Sequence, residues 1–454
     1  MKEDLLIIGG VAAGLAAAMQ ARRRRLPEAL NITVLEKTRD ISYGACGIPY
    51  VVSGVIPSLE NLLVHTPEYF REKHRIDVRL ACEALEIMPA KSVVRVNDNG
   101  EQRELPYTNL VIATGAAALC PNLPGKDLDG IHVLRHLQHG RKLLSDLVQS
   151  RPRKAVIVGA GYIGLELAEA LHARGLQITI VNATDKVMHS LDGRLCERVA
   201  DELKHHSVEL ILGEKVVAFE GHGGRISHVV TETGRVIEAD IVCVGVCVRP
   251  NSELAKGAGF EVGPSGAIVT DAHQRTSIAN TYAAGDCCEV INRITGKRVW
   301  FPLGQPAVKQ GWVAGANAAG IGPAEKYAGV VGTNVVKVFD LELARTGLGL
   351  EEARANGFDA DAIEKETASR AGYYPSGSKI LTKLVFDRRG RLLGAQMVGR
   401  EGVAQRIDVY AAALYSSLKV EDIEDFDLAY APPFAPTIDP IQRATHEAVK
   451  KRGF

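Results

Sequence analysis

A chain of 454 residues exceeds the roughly 250–300 at which one hydrophobic core stops growing, so two or three domains are expected. Its 54 Lys+Arg offset 54 Asp+Glu, which leaves no net field to attract nucleic acid or an anionic membrane and argues against either as a partner. No stretch approaches about 18 uninterrupted apolar residues and the run Leu5 to Ile8 is too short for a signal segment, so a soluble cytoplasmic protein is expected.

Leu5-Leu6-Ile7-Ile8 reads as a strand covered on both faces of a parallel sheet. It leads into Gly9-Gly10-Val11-Ala12-Ala13-Gly14, an Ala-rich helix to about Arg25, and a second strand, Ile32 to Leu35, ending in Glu36. That order is a dinucleotide-binding βαβ unit: glycines for a tight turn, a helix N-terminus for the pyrophosphate, and an acid about 20 residues on for the ribose hydroxyls. Val11 stands where the pattern has its second glycine.

The stretch Ser42-Tyr43-Gly44-Ala45-Cys46-Gly47-Ile48-Pro49-Tyr50 follows that strand. Pro is tolerated in a first helical turn, so a helix is expected to start here, and a helix N-terminus lowers a thiol pKa. Cys46 is therefore a candidate reactive thiolate, although a free cysteine taken alone is more often a small buried hydrophobe. The eight cysteines contain no C-x-x-C pair, and the adjacent Cys287 and Cys288 suit a bridge poorly, so free thiols are expected.

A second, intact copy of the unit begins with Ala155 to Val158 and continues through Gly159-Ala160-Gly161-Tyr162-Ile163-Gly164, a helix to about Arg174 and a strand from Ile178 to Val181. Strand, G-x-G-x-x-G and helix in this order is the context that confirms the motif. Two such sites suggest two dinucleotides, one passing electrons to the other. The strand ends in Asn182, neither the acid that favours NAD nor an arginine that favours NADP, and leaves the coenzyme preference open.

Ala113-Thr114-Gly115 ends a further strand, and Thr281-Tyr282-Ala283-Ala284-Gly285-Asp286 ends another in glycine and a carboxylate. With the two glycine turns, these resemble the A-T-G and T-x-A-x-G-D motifs of the flavoprotein disulfide reductases over residues 1 to about 325. The resemblance implies an α/β chain of two doubly wound Rossmann-like domains plus a C-terminal α+β dimerisation domain, working as a homodimer. The FAD domain would comprise 1–117 and 250–325, the NAD(P)H domain 118–249, and the dimerisation domain 326–454. By the same resemblance, Gly9, Gly14, Glu36, Lys37, Ala113, Thr114, Gly115, Gly285 and Asp286 hold FAD, with Pro302 opening a helix toward the flavin. Gly159, Gly161, Gly164, Tyr162 and Glu166 would serve the nicotinamide coenzyme.

Most members of that superfamily pair two cysteines with four residues between them, but the corresponding position here, the fifth after Cys46, is Val51. The chain thus resembles the single-cysteine branch, which includes coenzyme A-disulfide reductases, persulfide and polysulfide reductases, and NADH oxidases and peroxidases. The oxidases and peroxidases carry a histidine in the first glycine turn; Ala12 and Ala13 here transfer no proton. The coenzyme A-disulfide reductases use two tyrosines from the partner subunit, matched by Tyr373 and Tyr430, to protonate the departing thiolate. Gln20, Arg23 and Ser42 match that group's coenzyme A contacts, and Cys46 would rest as a mixed disulfide with coenzyme A. Ala45, His74 and Ile438 depart from it. The histidines 132, 136, 139, 205 and 206 lack a ligand pattern, so no metal is expected.

Overall fold

The computed structural model describes residues 2–453. Three five-stranded sheets order the chain. The first is parallel throughout, in the order Thr281–Ala283, Asn109–Ile112, Glu3–Ile8, Leu30–Glu36, Asp77–Leu80. Its central strand is the apolar run seen in the sequence, and Leu5 to Ile8 are all buried. The registers Ile8 with Leu35 and Ile8 with Ile112 bring three strand ends to one edge, where the first glycine turn begins.

Helix Ala12–Arg24 carries no β-branched residue and presents its alanines to helix Gly304–Ala318. The approach is backbone to backbone: a Cβ on Gly311 or Gly315 would lie 2.3 Å from Ala13 O or 2.0 Å from Ala17 O.

The second sheet repeats the plan: Glu209–Leu212, Gln177–Asn182, Lys154–Val158, Ile241–Val244 and Ile131–Val133, again parallel. Each parallel sheet also has a three-stranded antiparallel companion, built from Cys82–Met88, Val93–Asp98 and Glu101–Pro106 in one case and Val216–His222, Arg225–Thr231 and Val236–Glu238 in the other. The internal repeat therefore reaches beyond the βαβ units to which the sequence confines it. These strands are half-exposed and bulged, which blurs their alternation.

The third sheet is antiparallel, ordered Asn334–Val338, Leu341–Gly347, Leu392–Gly399, Lys379–Asp387, Ala360–Ala368, and is covered by helices Val403–Tyr415 and Pro440–Lys451. One apolar core runs from Ile48 and Val51 through Ile157 and Leu165 to Val338 and Leu343, so the Cys46 segment, the second sheet and the third pack as one body. Among the described residues, no helix is long and apolar enough to cross a membrane.

Candidate active site

In the first turn Gly9 has φ +114°, and a Cβ there would sit 2.1 Å from Ala113 O, so only glycine fits. Gly14 brings the helix against the strand, a Cβ on it falling 1.8 Å from Gly9 O. The Glu36 carboxylate, buried at the strand end, accepts from Gly10 N–H at 2.9 Å through Oε2 and from Thr38 N–H at 2.8 Å through Oε1. Lys37 is exposed beside it.

The Ala113-Thr114-Gly115 turn is pinned twice to Asn251: Thr114 Oγ1 donates to Asn251 O at 2.5 Å, and Asn251 Nδ2 donates to Thr114 O at 2.8 Å. Gly285 has φ +84° and donates its N–H to buried Gln310 Oε1 at 2.9 Å. Asp286 pairs with Arg135, and Trp300 Nε1 donates to its carbonyl at 2.8 Å. Pro302 lies just outside its helix, which starts at Gly304 with Leu303 at the N-cap.

Neither helix Ala12–Arg24 nor helix Gly304–Ala318 has a side-chain cap, so free N–H groups and the positive ends of two dipoles are left for an anionic ligand. A glycine turn without side-chain bulk, an acid at the strand end and a second carboxylate on Asp286 fit FAD. Arg135, which pairs with Asp286 and pulls the Cys46 thiol down, escaped the sequence reading; no motif surrounds it, and its partner is 151 positions away.

The second turn shares two of these contacts. Gly159 has φ +103° and a Cβ on it would meet Val246 Cγ1 at 2.4 Å, while one on Gly164 would fall 2.0 Å from Gly159 O. Gly161 differs, since a Cβ there meets nothing within 4 Å. Ala160 N–H donates to Asn182 Oδ1 at 3.0 Å. The Tyr162 hydroxyl bonds Asn334 Oδ1 and lies 3.3 Å from Ser190 Oγ, which ties this helix start to the third sheet. Burial and the neighbouring Glu169 push the Glu166 carboxyl up to about 7.

Cys46 lies in a short 3-10 turn, Ala45–Gly47, ahead of helix Ile48–Ser53, and is the one exposed cysteine among the described residues. Arg174 donates to Val52 O at the far end of that helix. The sequence leads one to expect a lowered thiol pKa; the structure raises it. Solvent reaches the sulfur, but the surrounding protein desolvates it, and the carboxylates of Glu166 and Asp286 add to the rise against the pull of Arg135. A helix of six residues has too weak a dipole to compensate.

Of the four consecutive arginines, three are spent on structure. Arg22 donates to the carbonyls of His74, Arg25, Leu30 and Arg75, Arg24 pairs with Glu325, and Arg25 pairs with Glu3. Arg23 alone is exposed, its guanidinium 3.5 Å from Gln20 Oε1. Beside it the buried His74 Nε2 has no hydrogen-bond partner, and burial, with His65 and Arg23, holds that imidazole below its usual range. Ser42 adopts φ +51° and bonds the first turn through its N–H to Gly10 O at 3.2 Å.

Tyr373 and Tyr430 meet hydroxyl to hydroxyl at 3.0 Å, though both stay exposed, at 76% and 45%. Their bond pushes the Tyr373 phenol up. Arg406 holds both loops: it forks onto Asp439 at 3.1 and 3.0 Å and donates to Ser369 O and Phe434 O, each at 3.1 Å. Within one chain no hydrogen bond joins either phenol to the Cys46 turn, so the structure brings the two tyrosines to each other and not to the thiol.

Two dinucleotide-type glycine turns, with one exposed cysteine on a segment that bonds the first through Ser42 and packs on the helix of the second, define a two-dinucleotide redox protein. Residues 3–311 match the pyridine nucleotide-disulphide oxidoreductase family and residues 333–440 its dimerisation domain, and the chain belongs to that family. It is 39% identical over 442 residues to an NAD(P)H sulfur oxidoreductase (CoA-dependent) of Pyrococcus furiosus, spanning 97% of this chain and 98% of the relative. A coenzyme A disulfide reductase of Staphylococcus haemolyticus is 32% identical over 447 residues, 98% of this chain and 99% of the other. The solved NAD-dependent persulfide reductase from A. fulgidus is 35% identical and superposes with a TM-score of 0.95 over 99% of this chain and 83% of its own. The chain is thus an FAD- and NAD(P)H-dependent oxidoreductase with the α/β architecture that its motifs imply.

Proposed function

We propose that this chain reduces a small-molecule disulfide, coenzyme A disulfide foremost, through Cys46 as its single redox-active sulfur. The observation that supports this reading is the lone exposed cysteine on a segment that bonds the first glycine turn and packs on the helix of the second, every other described cysteine being wholly or partly buried. In this reading residues 1–117 and 250–325 hold FAD, 118–249 hold NAD(P)H, and 326–454 form the homodimer. FAD, when bound, supplies the two-electron relay between nicotinamide and sulfur.

The protein's own part is exchange chemistry. The Cys46 thiolate attacks the incoming disulfide and keeps one half as a mixed disulfide, and the other half leaves as a thiolate. Tyr373 and Tyr430, contributed across the dimer, hydrogen-bond the departing sulfur and donate a proton to it. Arg23 and Gln20 are the cation and amide left free by the arginine run to bind the phosphate end of coenzyme A, with Ser42 beside the glycine turn. Persulfide or polysulfide is the second reading, supported by the names of the relatives above and by His74 and Ala45, where the coenzyme A-disulfide reductases have other residues.

Steady-state NAD(P)H oxidation with coenzyme A disulfide, polysulfide or oxygen as sole acceptor tests both. The expected result is turnover with coenzyme A disulfide, lost about a thousandfold in Cys46→Ser while the flavin spectrum and its bleaching by NAD(P)H persist. Turnover with polysulfide alone selects the second reading. Turnover with oxygen alone, or an active Cys46→Ser protein, overturns both.

A further inference from the structure

The second glycine turn ends its neighbouring strand in an amide where the first has an acid, and the amide is fully engaged. Asn182 Oδ1 accepts from Ala160 N–H at 3.0 Å, and Nδ2 donates to Thr184 Oγ1 at 2.7 Å, Lys186 O at 2.9 Å and Thr184 O at 3.2 Å. An amide nitrogen has two hydrogens, so nothing is left on it for a ligand. A carboxylate at this position would accept the ribose hydroxyls of NADH and repel a 2′-phosphate. Asn182 does neither. Its work is to fold the following loop back onto the turn, where Met188 N–H also donates to Ala160 O at 2.9 Å.

That folding fixes Lys186. Its carbonyl is one hydrogen bond from the Asn182 side chain, so its backbone is held at the strand end where the adenosine ribose of a dinucleotide lies. Lys186 is exposed and, among the described residues, in no ion pair. Asp185 next to it is exposed as well and partly cancels its field. The loop holds no arginine between Asn182 and Leu191 that could grip a phosphate with a fixed fork.

We propose that the second site takes NADPH and NADH with little discrimination, and that Lys186, positioned by Asn182, is the residue that meets the 2′-phosphate. This rests on the reading of Gly159 to Gly164 as the nicotinamide-dinucleotide turn. A flexible ammonium half-offset by an aspartate gives a modest, salt-sensitive preference, where a bidentate arginine would give a strict one.

Calorimetric titration of the flavin-loaded enzyme with ADP-ribose and with 2′-phospho-ADP-ribose tests this by binding alone, and the NADH and NADPH kcat/KM values by turnover. The wild-type affinities are expected within about tenfold of each other, the phosphorylated ligand weakening more steeply with added salt. Lys186→Glu is expected to shift the ratio about tenfold or more against the 2′-phosphate, and Asn182→Asp to shift it the same way. Should Asn182→Asp loosen the loop, Lys186→Glu carries the test by itself. A wild-type preference beyond about tenfold for either ligand, or an unchanged ratio in Lys186→Glu, overturns the inference. Failure of both ligands to bind removes the dinucleotide reading itself and this inference with it, an outcome distinct from binding without the expected ratio.

Discussion

The two glycine turns are near copies whose differences separate what the fold needs from what the ligand needs. In both, the first and last glycines are required: Gly9 and Gly159 at positive φ, against Ala113 O and the Val246 side chain, and Gly14 and Gly164 within about 2 Å of a carbonyl were they to carry a Cβ. The middle position is not held this way. Val11 occupies it in one turn, and Gly161 in the other faces open space. Their surroundings differ as well. The first helix packs backbone to backbone on helix Gly304–Ala318, while the second packs on the helix that follows Cys46, with Arg174 bonding its far end and Tyr162 bonding Asn334.

Substitution at the first and middle positions should break the symmetry most strongly. Gly9→Ala forces a β-carbon into positive φ and onto Ala113 O, an expected loss above about 3 kcal/mol that shows as a large fall in Tm and flavin-free protein. Gly161→Ala, at φ −91° with nothing nearby, should leave Tm within about 1–2 °C and raise the KM for NAD(P)H roughly tenfold. Equal damage from both would show that the contacts, not the ligand, dictate the middle glycine.

The first turn supplies no acid for a departing sulfur, because Ala12 and Ala13 occupy it, and in the second the Tyr162 hydroxyl is engaged with Asn334 and Ser190. The proposed exchange assigns that step to the Tyr373–Tyr430 pair. Tyr430→Phe and Tyr373→Phe are each expected to lower kcat for disulfide reduction about tenfold with little change in KM. Because the phenols share one hydrogen bond, the double variant should lose no more than about the larger single loss. Strict additivity in that cycle would make them independent surface aromatics.

Much of this was legible before any coordinates. The apolar runs, both glycine motifs and Glu36, 26 positions from Gly10, are local signals, and motif spacing and periodicity report such signals well. What escaped depends on distant partners. Arg22 to Arg25 read as one cationic run, yet Arg24 answers Glu325 and Arg22 answers His74 and Arg75. The phenol pair spans 57 positions, and the Arg135–Asp286 pair 151. The thiol rule failed for the same reason: the local helix start was visible, but not the carboxylates that folding brings to it.

That failure supplies the smallest and most specific test. Glu166 sits on the second turn's helix and, after burial, is the foremost cause of the raised Cys46 pKa. Its own carboxyl titrates near 7. Below that pH Glu166 is protonated and neutral, so it does not oppose the thiolate; above it the carboxylate does. Glu166→Gln removes the opposition at every pH. Iodoacetamide labelling of Cys46, followed by mass spectrometry across pH 5.5 to 9, should therefore run at matching rates in both proteins at the acid end. Above about pH 7 the variant should react roughly two- to fivefold faster, through a thiol pKa lowered by the loss of the opposing carboxylate. A constant rate ratio across the range would mean that the side chain acts by packing alone. Divergence that begins only as Glu166 ionises would show that the charge of the coenzyme-side helix is felt at the sulfur, which makes the second turn a part of the thiol's environment as well as a seat for its reductant.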